Sequence, residues 1–221
     1  MIGTFDGRSF VQESIVLCSH FGPNFYAAQT WSGVSKEDGR LIQTGWSRLN
    51  LPDMPFNGYL TVPCDLSLKT TKDGIKLCYH PVDEIKKLYI KKHSYKNVDL
   101  NEGKIIQTGI EAELLDIHAE IDVGLSKEIN IIVNGVQITH SLTKKKLICR
   151  EVSTSFGQMD GKVSIRIIID RTTATIFGNG GVVYMPIGIL CNDVLHSLDV
   201  FARGGRAKLV YMDIYEMKSC W

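Results

Sequence analysis

Leu115-Asp116-Ile117-His118-Ala119-Glu120-Ile121 places an apolar side chain at every second position and a polar one between. Successive residues of a strand point to opposite sides of a sheet. Leu115, Ile117, Ala119 and Ile121 therefore share one face, and Asp116, His118 and Glu120 share the other. Val163, Ile165, Ile167 and Ile169 repeat the pattern, with Arg166 and Asp170 out of phase. Between these runs, Asn134-Gly135 separates Ile131-Ile132-Val133 from Val136-Gln137-Ile138. A two-residue hairpin turn needs positive φ at both positions, which Asn and Gly tolerate, so the pair predicts a β-hairpin. Asn179-Gly180-Gly181 predicts another between Thr175-Ile176-Phe177 and Val182-Val183-Tyr184. Outward from this stretch the chain reads as strand after strand, which makes the fold all-β.

One segment looks helical. Val82-Asp83-Glu84-Ile85-Lys86-Lys87-Leu88-Tyr89 follows Pro81, with Ile85, Leu88 and Tyr89 at i, i+3 and i+4. Acids open it and lysines close it, as the helix dipole prefers. A helix of about two turns over 82–89 suits a connector. It divides the chain into residues 1–90, dense in aromatics, Gly and Pro, and residues 91–221, whose regularly spaced Ile- and Val-rich strands predict an antiparallel β-sandwich.

The 221 residues allow one large or two small domains. A net charge of +1 gives no broad field toward nucleic acid or an anionic membrane. No apolar stretch approaches the length of a membrane span. Met1–Gly7 lacks the basic start and apolar run of a signal peptide, which leaves the compartment open. Cys18, Cys64, Cys78, Cys149, Cys191 and Cys220 show no metal-ligand or redox spacing and read as free thiols on strands. The six histidines show no ligand spacing either, so no metal or other cofactor is expected. Lys144-Lys145-Lys146 reads as a solvated turn or an edge-strand guard. Gly178-Asn179-Gly180-Gly181 precedes a strand rather than a helix, so it is a hairpin and not a phosphate loop.

Four blocks carry a family resemblance in one order along the chain. They are Phe21-Gly22-Pro23-Asn24-Phe25-Tyr26-Ala27-Ala28-Gln29-Thr30-Trp31, then Asp38-Gly39-Arg40-Leu41-Ile42-Gln43-Thr44-Gly45-Trp46. Met54-Pro55-Phe56-Asn57-Gly58 follows, with Pro63-Cys64-Asp65-Leu66-Ser67-Leu68 and Pro81-Val82-Asp83-Glu84-Ile85. The last is Ile169-Asp170-Arg171-Thr172-Thr173-Ala174-Thr175-Ile176-Phe177-Gly178-Asn179-Gly180-Gly181, with Tyr215-Glu216-Met217-Lys218-Ser219 at the end. Together they resemble the levanase, inulinase and invertase group of glycoside hydrolase family 32. The resemblance implies a partial β-propeller, with a single terminal blade in residues 1–90, followed by the sandwich. The sequence departs from the family at His20 and Asn24, where acidic residues are frequent, and at Thr175, where Glu is usual.

The family hydrolyses β-fructosidic bonds with retention, using carboxylates in Trp-Met-Asn-Asp-Pro, Arg-Asp-Pro and Glu-Cys blocks. None of the three blocks occurs in these 221 residues. Retaining hydrolysis needs two carboxyl groups about 5–5.5 Å apart. The resemblance therefore assigns no catalytic residue here, and it makes Asp170 structural. Two readings follow: a truncated fructan or sucrose hydrolase-like chain that is at most a carbohydrate-binding or structural module, or the C-terminal part of an active β-fructosidase completed by an upstream or separate N-terminal half. What would remain of a sugar pocket is Tyr26, Gln29, Trp31 and Trp46, because aromatic faces pack against sugar C–H edges while polar groups meet the hydroxyls. The same aromatics could instead pack between blades. A lone blade would leave roughly 600 Å² of apolar surface wet. At about 25 cal/mol per Å² that forfeits about 15 kcal/mol. The expected cover is self-association, collapse onto the sandwich, or a missing N-terminal propeller half.

Overall fold

The computed structural model describes residues 1–14, 18–51, 57–189 and 197–220. Met54-Pro55-Phe56, Cys191, Asn192-Asp193 and His196 lie outside them. The chain opens with an antiparallel pair, β1 (Gly3–Phe5) and β2 (Phe10–Gln12). Five strands then form a first sheet: β3 (Tyr26–Thr30), β4 (Ile42–Ser47), β5 (Tyr59–Leu60), β6 (Cys64–Thr71) and β7 (Gly74–Pro81). Its order is β3-β4-β6-β7, with β5 paired beside β4.

The remaining strands are β8 (Tyr89–Leu100), β9 (Ile106–Gln107), β10 (Leu115–Asp122), β11 (Glu128–Val133), β12 (Val136–Ser141) and β13 (Lys146–Cys149). They continue as β14 (Val152–Ser155), β15 (Lys162–Asp170), β16 (Thr173–Gly178), β17 (Val183–Gly188), β18 (Leu198–Arg203) and β19 (Ala207–Met217). Two six-stranded sheets result, β17-β16-β15-β10-β19-β8 and β14-β13-β12-β11-β18-β9, both antiparallel throughout. They are the two layers of a β-sandwich.

The alternation read from sequence is the sandwich core. Leu115, Ile117, Ala119 and Ile121 stand opposite Ile169, Ile167, Ile165 and Val163, and all eight are buried. The facing sheet supplies Ile129, Ile131, Val133, Ile138, Leu198 and Val200 to the same cluster. Each such side chain contributes about 1.5–3 kcal/mol on burial, which is why the period-2 pattern decides which face turns inward. Asn134 and Gly135 take φ of 47° and 74° between the paired residues Val133 and Val136. The Asn179-Gly180-Gly181 turn joins β16 to β17 in the same way, with φ of 48°, 68° and 85°.

Two local details differ from expectation. The connector is a single 3₁₀ helix over Asp83–Leu88, and Tyr89 already belongs to β8. Its tight bond runs from the Ile85 N–H to the Val82 carbonyl, three residues back. A six-residue segment between two long strands has no room for an α-helical ladder. Asp170 closes β15, paired with Thr173 across the turn. Cys64, Cys78 and Cys149 are buried free thiols on strands, whereas Cys18 and Cys220 are free and exposed outside them.

Every side chain of β16 is buried, and so is β17 except for its last residue. One side of this hairpin faces the sandwich core. The other carries Phe177 and Tyr184 into a second apolar cluster with Cys64 and Tyr79 from the first sheet and Phe25 just before β3. Tyr79 and Tyr184 stack at 4.3 Å between centroids, and Phe25 meets Tyr184 edge-on at 5.4 Å. One face of the first sheet is thus covered by the sandwich itself. The backbones also meet: the Tyr79 N–H donates to the Gly181 carbonyl at 3.0 Å. Burial pushes the hydroxyls of Tyr79 and Tyr184 to higher pKa, as expected of phenols in a dry seam.

Candidate functional site

The opposite face of the first sheet is open. On β4, Gln43 and Gly45 point to the sandwich: the Tyr79 hydroxyl donates to Gln43 Oε1, and a side chain at Gly45 would strike the Phe25 ring. Alternation turns Thr44 and Trp46 the other way. Pairing across to β3 sets Tyr26 opposite Trp46 and Gln29 opposite Thr44. The count between them slips by one residue, because Ala27 adopts φ of 46° in a bulge. That bulge keeps both Tyr26 and Gln29 on the open face. Just past β3, the Trp31 indole N–H donates to Thr44 Oγ1 at 3.4 Å. The structure thus gathers Tyr26, Gln29, Trp31 and Trp46 on one side of two neighbouring strands.

Tyr26 is 58% exposed, Trp31 51% and Trp46 42%, values far from those of core aromatics. The Tyr26 and Trp46 rings lie 6.4 Å apart and tilted by 62°. The guanidinium of Arg48 sits 5.5 Å from the first ring and 5.7 Å from the second, within cation–π range of both. Gly58 fixes the indole from below: its φ is 77°, and a Cβ there would overlap Trp46 Nε1. Leu60, paired with Trp46, adds an exposed apolar side chain. Arg48 and Leu60 were not singled out in the sequence. Their signal was the strand period, since Arg48 is two residues beyond Trp46.

The blocks around this face do structural work. Asn24 accepts from the Gly188 N–H at 2.9 Å and donates to the Arg48 carbonyl at 3.2 Å, clamping β17 to the end of β4. Arg40 forms paired bonds with both Asp38 and Glu84, tying the loop before β4 to the 3₁₀ helix. Hydrogen bonds from Arg40 hold the Glu84 carboxyl down at about 2. Among the described residues, no hydrogen bond or ion pair joins an Asp or Glu to Tyr26, Gln29, Trp31 or Trp46. No cluster of three metal-ligating side chains occurs there either.

A buried charge network lies on the outer face of the sandwich. Asp116 is wholly buried and receives Arg166 Nε at 2.9 Å, Arg166 Nη2 at 2.6 Å and the Tyr89 hydroxyl at 2.6 Å. His118 Nε2 lies 2.9 Å from it. Burial alone would raise the Asp116 carboxyl. The His118 and Arg166 contacts outweigh it and hold the group at about 2.

No protein-family model matches the chain. Curated relatives do, over its whole length. A levanase of Bacillus subtilis is 24% identical over 252 residues, covering 100% of this chain and 37% of that protein. An extracellular exo-inulinase of Aspergillus awamori is 21% identical, covering 100% of this chain and 48% of that protein. The crystal structure of exo-inulinase from Aspergillus awamori superposes with a TM-score of 0.84 at 18% identity, over 99% of this chain and 49% of that one. This chain is similar to the C-terminal portion of the family 32 fructosidases. A fructofuranosidase of Schwanniomyces occidentalis complexed with fructose has the same fold, at a TM-score of 0.82 and 18% identity. The chain spans 37% to 52% of these relatives.

Proposed function

We propose that the chain is a carbohydrate-facing unit of family 32 type, and that residues 1–221 do not cleave glycosidic bonds by themselves. The observation that carries the reading is the exposed Tyr26–Trp46 pair with Arg48 across both rings. Two amphipathic rings on a strand-fixed face, beside the amide of Gln29 and the indole N–H of Trp31, suit a fructan or sucrose-type sugar. Hydrolysis would need two convergent carboxyl groups, and none of the family's three carboxylate blocks is in the sequence. The second reading is that the same face joins an N-terminal propeller half and completes an active β-fructosidase. It is favoured by the chain's match to only part of its relatives.

Purified chain is assayed on sucrose, inulin and levan, alone and with the upstream half of a relative supplied in trans. The expectation is no release of reducing sugar from the chain alone. Turnover by the chain alone would overturn the reading. Binding is read by titration calorimetry with levan oligosaccharides. Trp46→Ala and Tyr26→Ala are each expected to weaken it at least tenfold without lowering stability. Unchanged affinity in both would remove the aromatic face from consideration.

A further inference from the structure

We infer that a cavity between β7 and the outer face of the sandwich binds a small tetrahedral oxyanion of the phosphate class. The cavity measures about 180 Å³ and is separate from the aromatic face. A single water needs only about 10–15 Å³ measured in this way, so there is room for a multi-atom ligand. The polar residues that line it are His80, His118, Ser164, Arg166, Tyr79 and Tyr211, and no Asp or Glu is among them. The Tyr79 hydroxyl is spent on Gln43, so the wall offers a guanidinium, two imidazoles and the hydroxyls of Ser164 and Tyr211.

The nearest carboxylate is already engaged. Asp116 faces Arg166, Tyr89 and His118, so its acceptor capacity is taken up inside the network. His80 Nε2 bonds the Ser67 hydroxyl at 3.0 Å, and His118 Nε2 stands 2.9 Å from Asp116. Nδ1 is uncommitted in both rings, and it donates to an anion when the ring carries both protons. Glu120, one row along the same sheet face, is paired with Lys162 at 3.0 Å. Asp213, across β19 from His118, is bound by Lys92 and Ser94. Asp65, opposite His80 on β6, accepts from the Leu41 N–H. Arg166 binds Asp116 through Nε and Nη2, which leaves Nη1 as the charge-assisted donor for an oxyanion. Residues from both units build the wall, so an anion seated there would also link the first sheet to the sandwich.

The test uses the full chain. Melting temperature is followed against sodium phosphate and sodium sulfate, with sodium chloride at matched ionic strength as the reference. Phosphate and sulfate are expected to raise it in a saturable way that chloride does not reproduce. The His80→Gln/His118→Gln variant, with its circular dichroism spectrum checked against the parent, is expected to lose at least nine-tenths of that rise. A phosphate response no larger than that of chloride, or one that survives in the variant, overturns the proposal. Should the variant fail to fold, the histidine ring-proton signals of the unmodified chain are titrated with phosphate. Saturable shifts in two imidazoles support the site, and their absence ends it.

Discussion

Gly181→Ala is a sharp perturbation of the seam between the first sheet and the sandwich, because Gly180→Ala in the same turn serves as its control. Both glycines have positive φ, 68° at Gly180 and 85° at Gly181. An alanine in either pays about 1–2 kcal/mol for the left-handed backbone. Around Gly180 an added Cβ meets nothing within 4 Å. At Gly181 it overlaps the carbonyl oxygen of Tyr79 and crowds that residue's backbone N at 2.9 Å. Relieving the overlap means moving β7 away, which strains the packing by about 1–3 kcal/mol. It also loosens the bond from the Tyr79 N–H to the Gly181 carbonyl, worth about 0.5–1.5 kcal/mol. The expected loss is about 4 kcal/mol for Gly181→Ala against about 1.5 kcal/mol for Gly180→Ala. In a Trp221→Phe background, urea unfolding followed by tryptophan fluorescence reads the first sheet through Trp31 and Trp46, and circular dichroism is dominated by the sandwich strands. Gly181→Ala should move the fluorescence midpoint well below the dichroism midpoint. Equal destabilisation by the two alanines, with coincident midpoints, would refute the account of a backbone-to-backbone seam.

Acid should weaken the protein through Asp116. Its carboxyl is held at about 2 against 3.8 when free, so its stabilisation is fully present above about pH 4 and lost as pH falls toward 2. The loss is roughly 2 kcal/mol by linkage, measured by urea midpoints at pH 5 and pH 2.5. Arg166→Met leaves that buried carboxylate without its main partner and is expected to cost about 3–5 kcal/mol at neutral pH, with a flatter acid profile. A steep acid loss retained in the variant would mean another group dominates. Asn24→Ala frees the Gly188 N–H and the Arg48 carbonyl at once, for an expected loss of about 2 kcal/mol by thermal or urea melting. A shift within error would show that water replaces the clamp.

The sandwich was legible because its strands bury one face and wet the other. Leu115–Ile121 and Val163–Ile169 could be assigned from period alone, and the two glycine turns marked where strands reverse. β16 and β17 were legible only through their turn, since burial on both sides removes the alternation. The bulge at Ala27 was not legible: alanine carries no φ signal, and only the register slip shows it. Arg48 was within reach of the strand period, two residues beyond Trp46. The Asp116 network was not, because Asp116 and Arg166 lie 50 positions apart and no local pattern joins them.

The two-sided burial of the β16–β17 hairpin also sets an order of events during synthesis. Phe25 and Tyr79 emerge from the ribosome long before Phe177 and Tyr184, the rings against which they pack. At about 5–20 residues per second, the roughly 100 residues between β7 and β17 take about 5–20 s to appear. The sandwich sheet cannot serve as a stable dock even then, because β19, which separates β8 from β10, is the last strand made. For that interval the first sheet exposes aromatic surface on both sides, and chaperone capture of nascent chains should be most frequent while residues 90–180 are being translated.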